Sequence, residues 1–233
     1  MKIALLGYGR MGKEIEQIAL QRGHEIVIKD NGFVNYDITT ADVAIDFSIP
    51  TVAFNNISKC INSKVPVVSG TTGWLDKYED AITLCNKNKG AFIYASNFSL
   101  GVNLFFEMNK KFAEMMNNLN DYTTSIEEIH HTKKLDAPSG TAITLAEGII
   151  ENTDKKGWKL DGGANSSLIP ITAVRTPEVP GTHTITYTSD IDSIEIKHTA
   201  HNRKGFALGA VVAAEWLHNK TGVFSMKDVL NIS

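Results

Sequence analysis

"KIALLGYGRMGKEIEQIALQRG", residues 2–23, opens with a short apolar run that ends at a glycine. Such a run is typical of a parallel strand that is buried on both faces. Apolar residues then recur at helical spacing from Met11 to Ala19, and the pattern stops at Gly23. A strand, a glycine-rich turn and a helix in this order predict the first unit of a dinucleotide-binding domain.

The turn itself, "GYGRMG", matches the pattern G-x-G-x-x-G. Glycines also mark ordinary turns, so the pattern gains its meaning from the strand before it and the helix after it. Gly7 would permit the tight turn, Gly9 would let a pyrophosphate approach the backbone, and Gly12 would let helix and strand pack closely. The free N–H groups at the helix start would face the phosphates. We therefore expect these residues of the turn to bind the cofactor: Gly7, Tyr8, Gly9, Arg10, Met11 and Gly12.

Further apolar runs alternate with helical patterns over residues 1–100. The runs "EIVIK", "DVAIDFS", "VPVVSG" and "AFIYAS" predict strands, and Pro50 can begin one of the helices between them. Strands that alternate with helices indicate a parallel, doubly wound sheet of the Rossmann type.

The pattern changes after residue 100. "NLFFEMNKKFAEMMNNL" and "GTAITLAEGIIEN" predict helices, whereas "YTTSIEEIHH", "ITAVRTP", "THTITYT" and "DSIEIKHTA" predict strands of an open, mixed sheet. The apolar segment "GFALGAVVAAEWLHN" predicts a last helix. We therefore predict an α/β protein in three parts. They are a dinucleotide-binding domain at 1–100, an α+β substrate-binding and oligomerisation domain at 101–203, and a C-terminal helix at 204–233 that returns to the first domain.

The composition argues against several other classes of protein. The chain has 233 residues and a formal net charge of -3, which gives no general attraction to nucleic acid or to an anionic membrane. Its longest apolar run, "FALGAVVAAEW", is too short to span a bilayer. Cys60 and Cys85 match no metal or redox motif, so we interpret them as reduced thiols of the core. Because the first predicted strand begins at Lys2, we expect no signal peptide and a cytoplasmic protein.

Two later turns are further candidates for cofactor binding. Asp30 ends the second strand, at about the usual distance for the acidic residue that holds the ribose hydroxyls. Its alternative role is that of a turn residue before an Asn-Gly pair. Gly70, Thr71 and Thr72 follow the fourth strand, and the C-terminal ends of parallel strands line the ligand crevice in such sheets. Their alternative role is helix capping by threonine.

"EEIHHTKKLDAPSGTA", residues 127–142, concentrates groups that carry protons or bind anions. His130 and His131 end a predicted strand, so we expect their side chains on opposite faces. A lone histidine is more often structural than catalytic, and lysines such as Lys133 and Lys134 are usually solvated surface charges. However, Pro138 and the Ser-Gly-Thr run begin a helix whose free N–H groups would bind a carboxylate or phosphate. The combination suits a small anionic substrate that is reduced by hydride.

A second set of basic residues lies downstream, and some of them must be structural. The set consists of Arg175, His183, His198, His201 and Arg203. No spacing resembles H-E-x-x-H or a cysteine cage, so we predict no metal. No G-x-S-x-G elbow occurs either, and Ser139 lacks that context.

The segment "EIHHTKKLDAPSGTA" closely resembles the signature of the 4-hydroxy-tetrahydrodipicolinate reductase family, also called dihydrodipicolinate reductases. "GYGRMG", "DFSIP", "VPVVSGTTGW", "ASNFSLGVN" and "HNRKGFALGAV" occur in the family's order over nearly the whole chain. The resemblance implies reduction of 4-hydroxy-tetrahydrodipicolinate to tetrahydrodipicolinate with NADH or NADPH, in the diaminopimelate route to lysine. It also implies a homotetramer.

The resemblance further implies roles for individual residues. His130 would be the catalytic acid/base, and Lys134 would be the proton donor. Gly140 and Thr141 would bind a carboxylate of the dicarboxylate substrate through the helix start. Substrate contacts are also implied for His131 and Arg203. Cofactor contacts beyond the glycine-rich turn are implied for these residues: Gly70, Thr71, Thr72, Ala95, Ser96, Asn97 and Phe98.

One region departs from the family's pattern. The segment between the second and third strands is short, at residues 31–41, and Asn31 stands where many relatives carry an arginine. Asp30 can accept hydrogen bonds from the ribose hydroxyls of NADH and would repel a 2′-phosphate. Arg10 and Lys29 are nearby cations that can still bind such a phosphate. We predict a modest preference for NADH or the use of both cofactors.

Two other functions share part of this pattern. Another two-domain nicotinamide oxidoreductase would need the glycine-rich turn but not the H-H-x-x-K run beside D-A-P-S-G-T. A non-catalytic dinucleotide sensor would keep the glycines and could lose His130 and Lys134, yet both are present. Oxidation of NAD(P)H in the presence of different substrates separates the three functions.

Overall fold

The computed structural model describes residues 1–32, 35–162, 167–202 and 204–232. The chain forms two compact units. The first unit consists of Met1–Asn103 and Lys204–Ser233, and the second consists of Leu104–Arg203. Both ends of the chain therefore contribute to the first unit.

The described residues form eleven strands and seven α-helices. The strands are β1 (Lys2–Leu6), β2 (Glu25–Asp30), β3 (Val43–Asp46), β4 (Val67–Ser69), β5 (Ala91–Tyr94), β6 (Thr123–His130), β7 (Gly157–Leu160), β8 (Leu168–Arg175), β9 (Gly181–Thr188), β10 (Ser193–Ala200) and β11 (Gly222–Phe224). The helices are α1 (Arg10–Gln21), α2 (Pro50–Asn62), α3 (Tyr78–Asn88), α4 (Leu100–Met116), α5 (Gly140–Ile150), α6 (Lys204–Leu217) and α7 (Met226–Leu230).

The sheet of the first unit confirms the predicted parallel, doubly wound architecture. Its strand order is β11-β5-β4-β3-β1-β2, and neighbouring strands pair in parallel. Side chains of a strand alternate between the two faces of a sheet. Ile3 and Leu5 accordingly pack in one apolar cluster with α1 and α6, whereas Ala4 and Leu6 pack in another with α2 and α3. Helices thus cover both faces of the sheet.

The direction of winding changes between β1 and β3. β2 lies on one side of β1, and β3, β4 and β5 follow on the other side. Open α/β sheets bind ligands at such a point, beside the C-terminal ends of the strands. The turns that follow β1 and β3 therefore flank the expected crevice.

The end of the chain differs from the prediction. The expected helix over 204–233 is wrong beyond Leu217, because the polar segment after α6 turns the chain through Asn219 and Gly222, which both have positive φ. β11 then pairs in parallel with β5, and α7 follows it. The sheet gains a sixth strand that the sequence pattern did not predict.

The second unit contains the predicted mixed sheet. Its order is β10-β9-β6-β8-β7, with β9 antiparallel to β6 and β10, and β8 parallel to β6 and β7. Its core unites apolar residues of α4, α5 and the sheet, including Phe105, Leu145, Ile149 and Ile171. β7 was not predicted. Among the described residues, no helix is both long and apolar enough to cross a bilayer.

Candidate active site

The glycine-rich turn after β1 is shaped by close backbone packing. Gly7 has a φ of +96°, and a Cβ there would lie 2.2 Å from the carbonyl oxygen of Phe47. A Cβ at Gly12 would lie 2.6 Å from the carbonyl oxygen of Gly7. A Cβ at Gly9, in contrast, would meet no atom within 4 Å. Packing therefore requires Gly7 and Gly12, whereas the space beside Gly9 is open to a ligand.

Within the part of the chain that the structure describes, no side chain caps the backbone N–H groups at the start of α1. Its N-cap is Gly9, which supplies no side-chain acceptor, and its first turn contains no acidic residue. Helix starts of this kind bind anions, because the N–H groups and the helix dipole both favour negative charge. Arg10 is exposed, and Met11 packs against the core.

A cavity of about 390 Å³ lies beside this turn. It is lined by Gly7, Tyr8, Gly9, Asp30, Asn31, Gly32, Phe47, Ser48, Ile49, Val52 and Asn56. The structure therefore brings four of the predicted cofactor residues, including Asp30, to one cavity.

Asp30 has contacts that fit both of its possible roles. Its carbonyl accepts hydrogen bonds from the N–H groups of Gly7 and Tyr8 at 3.0 and 2.8 Å. Its Oδ1 atom accepts from the N–H of Gly32 at 2.7 Å, as expected of a turn residue. Asp30 nevertheless lines the cavity, so the turn contact does not remove the residue from the crevice.

The two cations near Asp30 differ in their contacts. The Nζ atom of Lys29 lies 2.5 Å from Oε1 of Glu16. The other oxygen of that carboxylate, Oε2, accepts a hydrogen bond from the hydroxyl of Tyr8. The carboxylate of Glu16 raises the pKa of Lys29. Arg10 has no ion-pair partner within the part of the chain that the structure describes. Of the two, Arg10 is therefore the cation available to a ligand.

Asp46, at the end of β3, is a fully buried carboxylate that sequence reasoning missed. Ser48 and Asn56 donate hydrogen bonds to its Oδ1 atom at 2.7 and 2.9 Å. The hydroxyls of Ser69 and Thr71 donate to Oδ2 at 2.9 and 2.8 Å. Burial raises the pKa of Asp46, and the four donors oppose that shift. Through these hydrogen bonds the carboxylate connects the turn after β3 with the turn after β4.

The turn after β4 holds the next predicted cofactor residues. A Cβ at Gly70 would lie 2.3 Å from the ring of Phe47, so a larger residue there would have to displace that ring. Thr71 is buried, whereas Thr72 is exposed. The alternative role of helix capping is wrong, because the short 3-10 helix Leu75–Lys77 begins after Trp74 and has no side-chain cap.

Segment 95–98 follows β5 and lies against α6. Ser96 is exposed, Ala95 and Asn97 are half-buried, and Phe98 is buried. A Cβ at Gly209 of α6 would lie 1.7 Å from the carbonyl oxygen of Phe98. The backbone of the segment therefore rests directly on the helix.

In the second unit, β6 carries Glu128 and His130 on its buried face. The carboxylate of Glu128 is fully buried. Its Oε1 atom lies 3.1 Å from Nη2 of Arg175, and its Oε2 atom accepts a hydrogen bond from the N–H of Ser139 at 3.1 Å. Oε2 also lies 3.3 Å from Nδ1 of His130 and 3.8 Å from Nε2 of His183. One carboxylate thus meets four groups from four segments of the chain.

The charge states in this network follow from its contacts. Burial alone would raise the pKa of Glu128, but the contacts with His130, Ser139 and Arg175 outweigh it and lower the pKa to about 2. Burial, with a smaller effect of His130, lowers the pKa of His183 to about 3. A neutral His183 can accept the hydrogen bond of the Ser139 hydroxyl, whose oxygen lies 3.1 Å from Nε2.

Arg175 joins this network to the loop that carries Lys134. Its Nη2 atom donates to the carbonyl of Asp136 at 2.7 Å, and its Nε atom donates to the carbonyl of Lys134 at 3.3 Å. The Nζ atom of Lys134 pairs with the carboxylate of Asp136 at 2.8 and 3.0 Å. The hydrogen bond from Lys134 lowers the pKa of Asp136. Arg175 belongs to the downstream set of basic residues, for which the sequence pattern predicts no individual role.

The start of α5 has the form that the sequence predicts. Ser139 is the N-cap, and its hydroxyl accepts from the N–H of Ala142 at 3.2 Å. Gly140 is exposed, a Cβ there would meet no atom within 4 Å, and Thr141 is half-buried. The first turn contains no acidic residue. The N–H groups of this turn are therefore accessible to an anion.

His131, another of the predicted substrate residues, follows β6. β6 ends at His130, so the expectation that His131 belongs to the same strand is wrong. His131 is half-buried in the following loop and lines a cavity of about 460 Å³ together with residues that include Pro177 and Pro180. Arg203 lies outside the described residues.

Glu128, His130 and His183 place three potential metal ligands within 4.8 Å of one another. Metal ligands of this type occur in zinc sites. Here, however, the guanidinium of Arg175 lies 3.1 Å from Glu128 and already supplies positive charge. The N–H of Ser139 occupies the other oxygen. The contacts favour a hydrogen-bonded network over a cation, and the absence of a metal stays a prediction.

The comparisons with known proteins agree along the whole chain. Residues 1–98 match the family model "Dihydrodipicolinate reductase, N-terminus", and residues 101–230 match "Dihydrodipicolinate reductase, C-terminus". A 4-hydroxy-tetrahydrodipicolinate reductase from Christiangramia forsetii is 62% identical, with 99% of this chain and 98% of the relative covered. The enzyme of that name from Neisseria meningitidis is 35% identical, with 94% and 84% covered.

A solved structure is similar as well. Dipicolinate-bound dihydrodipicolinate reductase from Paenisporosarcina sp. TG-14 has a TM-score of 0.76 and 25% identity, with 97% of each chain covered. A probable dehydrogenase from Thermotoga maritima, with a TM-score of 0.59 and 11% identity, shares the fold. From the two family models and the full-length relatives, the chain belongs to the dihydrodipicolinate reductase family.

Proposed function

We propose that this chain reduces 4-hydroxy-tetrahydrodipicolinate to tetrahydrodipicolinate by hydride transfer from NADH or NADPH, in the diaminopimelate pathway of lysine biosynthesis. The observation that carries the proposal is the convergence of three elements on Glu128. They are the imidazole of His130, the loop of Lys134 and the start of α5. These elements supply an acid/base, an ammonium group and an anion site. The names of the full-length relatives support the same reaction.

The first unit suits a nicotinamide dinucleotide. The open space at Gly9 and the uncapped start of α1 fit a pyrophosphate, and Asp30 offers an acceptor in the same cavity. We assign cofactor binding to the turn at residues 7–12, to Asp30, and to segments 70–72 and 95–98. A bound nicotinamide cofactor would supply the hydride.

The second unit would bind and protonate the substrate. One carboxylate would lie at the N–H groups of Gly140 and Thr141, and His131 and Arg203 would contribute further contacts. Loss of water from 4-hydroxy-tetrahydrodipicolinate first gives a conjugated imine. Hydride addition at ring C4 of that imine moves negative charge towards the ring nitrogen. The ammonium group of Lys134 would stabilise that charge and deliver the proton, with His130 as the acid/base partner. Asp136 holds the ammonium group in the loop at 2.8 Å.

The proposal extends to cofactor choice, assembly and location. Because Glu16 engages Lys29, Arg10 is the remaining cation to balance Asp30, and we propose a modest preference for NADH or the use of both cofactors. The chain would form a homotetramer in the cytoplasm, with small-molecule partners rather than nucleic acid or membrane.

The proposal is tested by oxidation of NAD(P)H with freshly prepared 4-hydroxy-tetrahydrodipicolinate, with other keto and imino acids, and without substrate. Lys134→Ala should lower kcat by on the order of a hundredfold, the usual contribution of a positioned proton donor. Cofactor affinity should remain that of the wild type, because Lys134 belongs to the second unit. The control is Lys111→Ala, which removes a lysine of the same unit whose side chain is 76% exposed.

Three results would contradict the proposal. They are equal rates of NAD(P)H oxidation with and without substrate, faster oxidation with a keto acid than with 4-hydroxy-tetrahydrodipicolinate, and a normal kcat in Lys134→Ala.

A further inference from the structure

We infer that Glu128 is a positioning residue. Its negative charge holds three elements in place, which are the imidazole of His130, the loop of Lys134 and the start of α5. The inference rests on the proposed function, which assigns roles to the three elements but none to Glu128. Replacing a buried ion pair with apolar side chains often leaves a protein as stable or more stable. Stability alone therefore gives little reason for a charge at this position of β6.

The first element is the imidazole of His130. Oε2 of Glu128 lies 3.3 Å from Nδ1, as an ion-pair contact and not an aligned hydrogen bond, and the charge of the carboxylate favours a proton on Nδ1. Nε2 is then the ring atom that exchanges a proton with substrate. A Cβ at Gly181 would lie 3.0 Å from Nε2, so the glycine at this position leaves room for the imidazole ring of His130.

The second element is the loop of Lys134, which Glu128 reaches through Arg175. The guanidinium uses Nη2 both for Glu128 and for the carbonyl of Asp136, at 3.1 and 2.7 Å. Without the charge of Glu128, Arg175 would lose its anionic partner and be free to turn towards solvent. The carbonyl groups of Lys134 and Asp136 would lose their donor at the same time.

The third element is the start of α5. The N–H of Ser139 donates to Oε2, which fixes the residue immediately before Gly140. A change at Glu128 should therefore disturb all three elements together, although the side chain itself is fully buried.

The adjacent residue provides a matched control. Glu127 precedes Glu128 on β6, points to the opposite face and is exposed. Glu128→Gln and Glu127→Gln make the same chemical change on the two faces of one strand. We expect Glu128→Gln to lower kcat tenfold to a hundredfold, roughly the effect of a 1 Å displacement of a catalytic group. Glu127→Gln should stay within about twofold of the wild type.

Two further measurements separate positioning from general destabilisation. First, adding Glu128→Gln to Lys134→Ala should lower kcat by less than about a further threefold, because the effects of residues that act through one another are not additive. Second, backbone hydrogen exchange over residues 131–138 should become at least about tenfold faster in Glu128→Gln but not in Glu127→Gln. If Glu128→Gln does not fold, Arg175→Lys serves instead. It keeps a positive charge beside Glu128 but removes hydrogen-bond donors to the carbonyl groups of Lys134 and Asp136.

The outcomes distinguish this inference from the proposed function. Fully multiplicative losses in the double variant, or unchanged exchange over residues 131–138, would overturn the role of Glu128. A wild-type enzyme without reductase activity would overturn the proposed function, whereas the exchange experiment would still decide whether Glu128 orders the loop.

Discussion

Gly209→Ala should destabilise the first unit strongly, because α6 has no room for a methyl group where it meets segment 95–98. The added Cβ would lie 1.7 Å from the carbonyl oxygen of Phe98 and 2.7 Å from its carbonyl carbon. Both atoms belong to the backbone, so no side-chain rotation relieves the overlap. Overpacking costs about 1–3 kcal/mol or more, and a backbone clash belongs at the upper end of that range. Alanine regains about 1 kcal/mol of helix propensity.

The net loss should be about 2 kcal/mol or more in the free energy of unfolding. For a chain of this size, each kcal/mol lowers Tm by roughly 2–4 °C. Urea denaturation followed by circular dichroism measures the loss directly. Because Phe98 belongs to the proposed cofactor segment, the Kd for NADH should rise as well.

Gly205→Ala is the matched control, since it makes the same change in the same helix. A Cβ at Gly205 would lie 3.6 Å from its nearest neighbour, Oγ of Ser99, which is an ordinary contact. This variant should be as stable as the wild type or more stable by up to about 1 kcal/mol. Equal stability of Gly209→Ala and Gly205→Ala would refute the close approach of α6 to Phe98.

Gly140→Val should raise KM for the substrate sharply, because a Cβ at this position would meet no atom within 4 Å and the new side chain would block the N–H groups of α5. Thr141→Val should have a smaller effect. Unchanged KM in both variants would place the carboxylate elsewhere. Asp30→Ala should shift the ratio of kcat/KM towards NADPH, because it removes a negative charge from the cavity. A tenfold preference of the wild type for NADPH, about 1.4 kcal/mol, would mean that the charge of Arg10 outweighs that of Asp30. An unchanged ratio of kcat/KM in Asp30→Ala would mean that Asp30 is a turn residue only.

The fold was predictable where local patterns and tertiary structure agree. β1 and β3 of the first sheet are buried on both faces, so their short apolar runs identify them without knowledge of their neighbours. β11 has three half-buried residues and depends on pairing with β5, which is distant in the sequence. β7 is likewise short and half-buried, and it joins its sheet through β8. Neither segment has a periodicity that identifies a strand by itself.

The candidate site was predictable through residues that belong to motifs. His130, Lys134 and Gly140 lie in one continuous segment, so their chemistry could be recognised together. Glu128 lies in the same segment but was missed, because its partners Arg175 and His183 come from other strands. The signal was present nevertheless. β6 buries alternate residues, and Glu128 falls on the buried face, where an ionised carboxylate requires partners.

Asp46 and Glu128, the two buried carboxylates among the residues that the structure describes, order their surroundings by different chemistry. The hydrogen-bond donors to Asp46 are neutral hydroxyl and amide groups, and burial raises its pKa. Glu128 contacts the guanidinium of Arg175, and its pKa falls to about 2. The difference suits the proposed ligands. The phosphates of a dinucleotide can be bound by backbone N–H groups at the start of α1, so the turns there need only a fixed shape. Reduction of a dicarboxylate also requires cations that donate protons, and an ionised Glu128 can hold such cations in place.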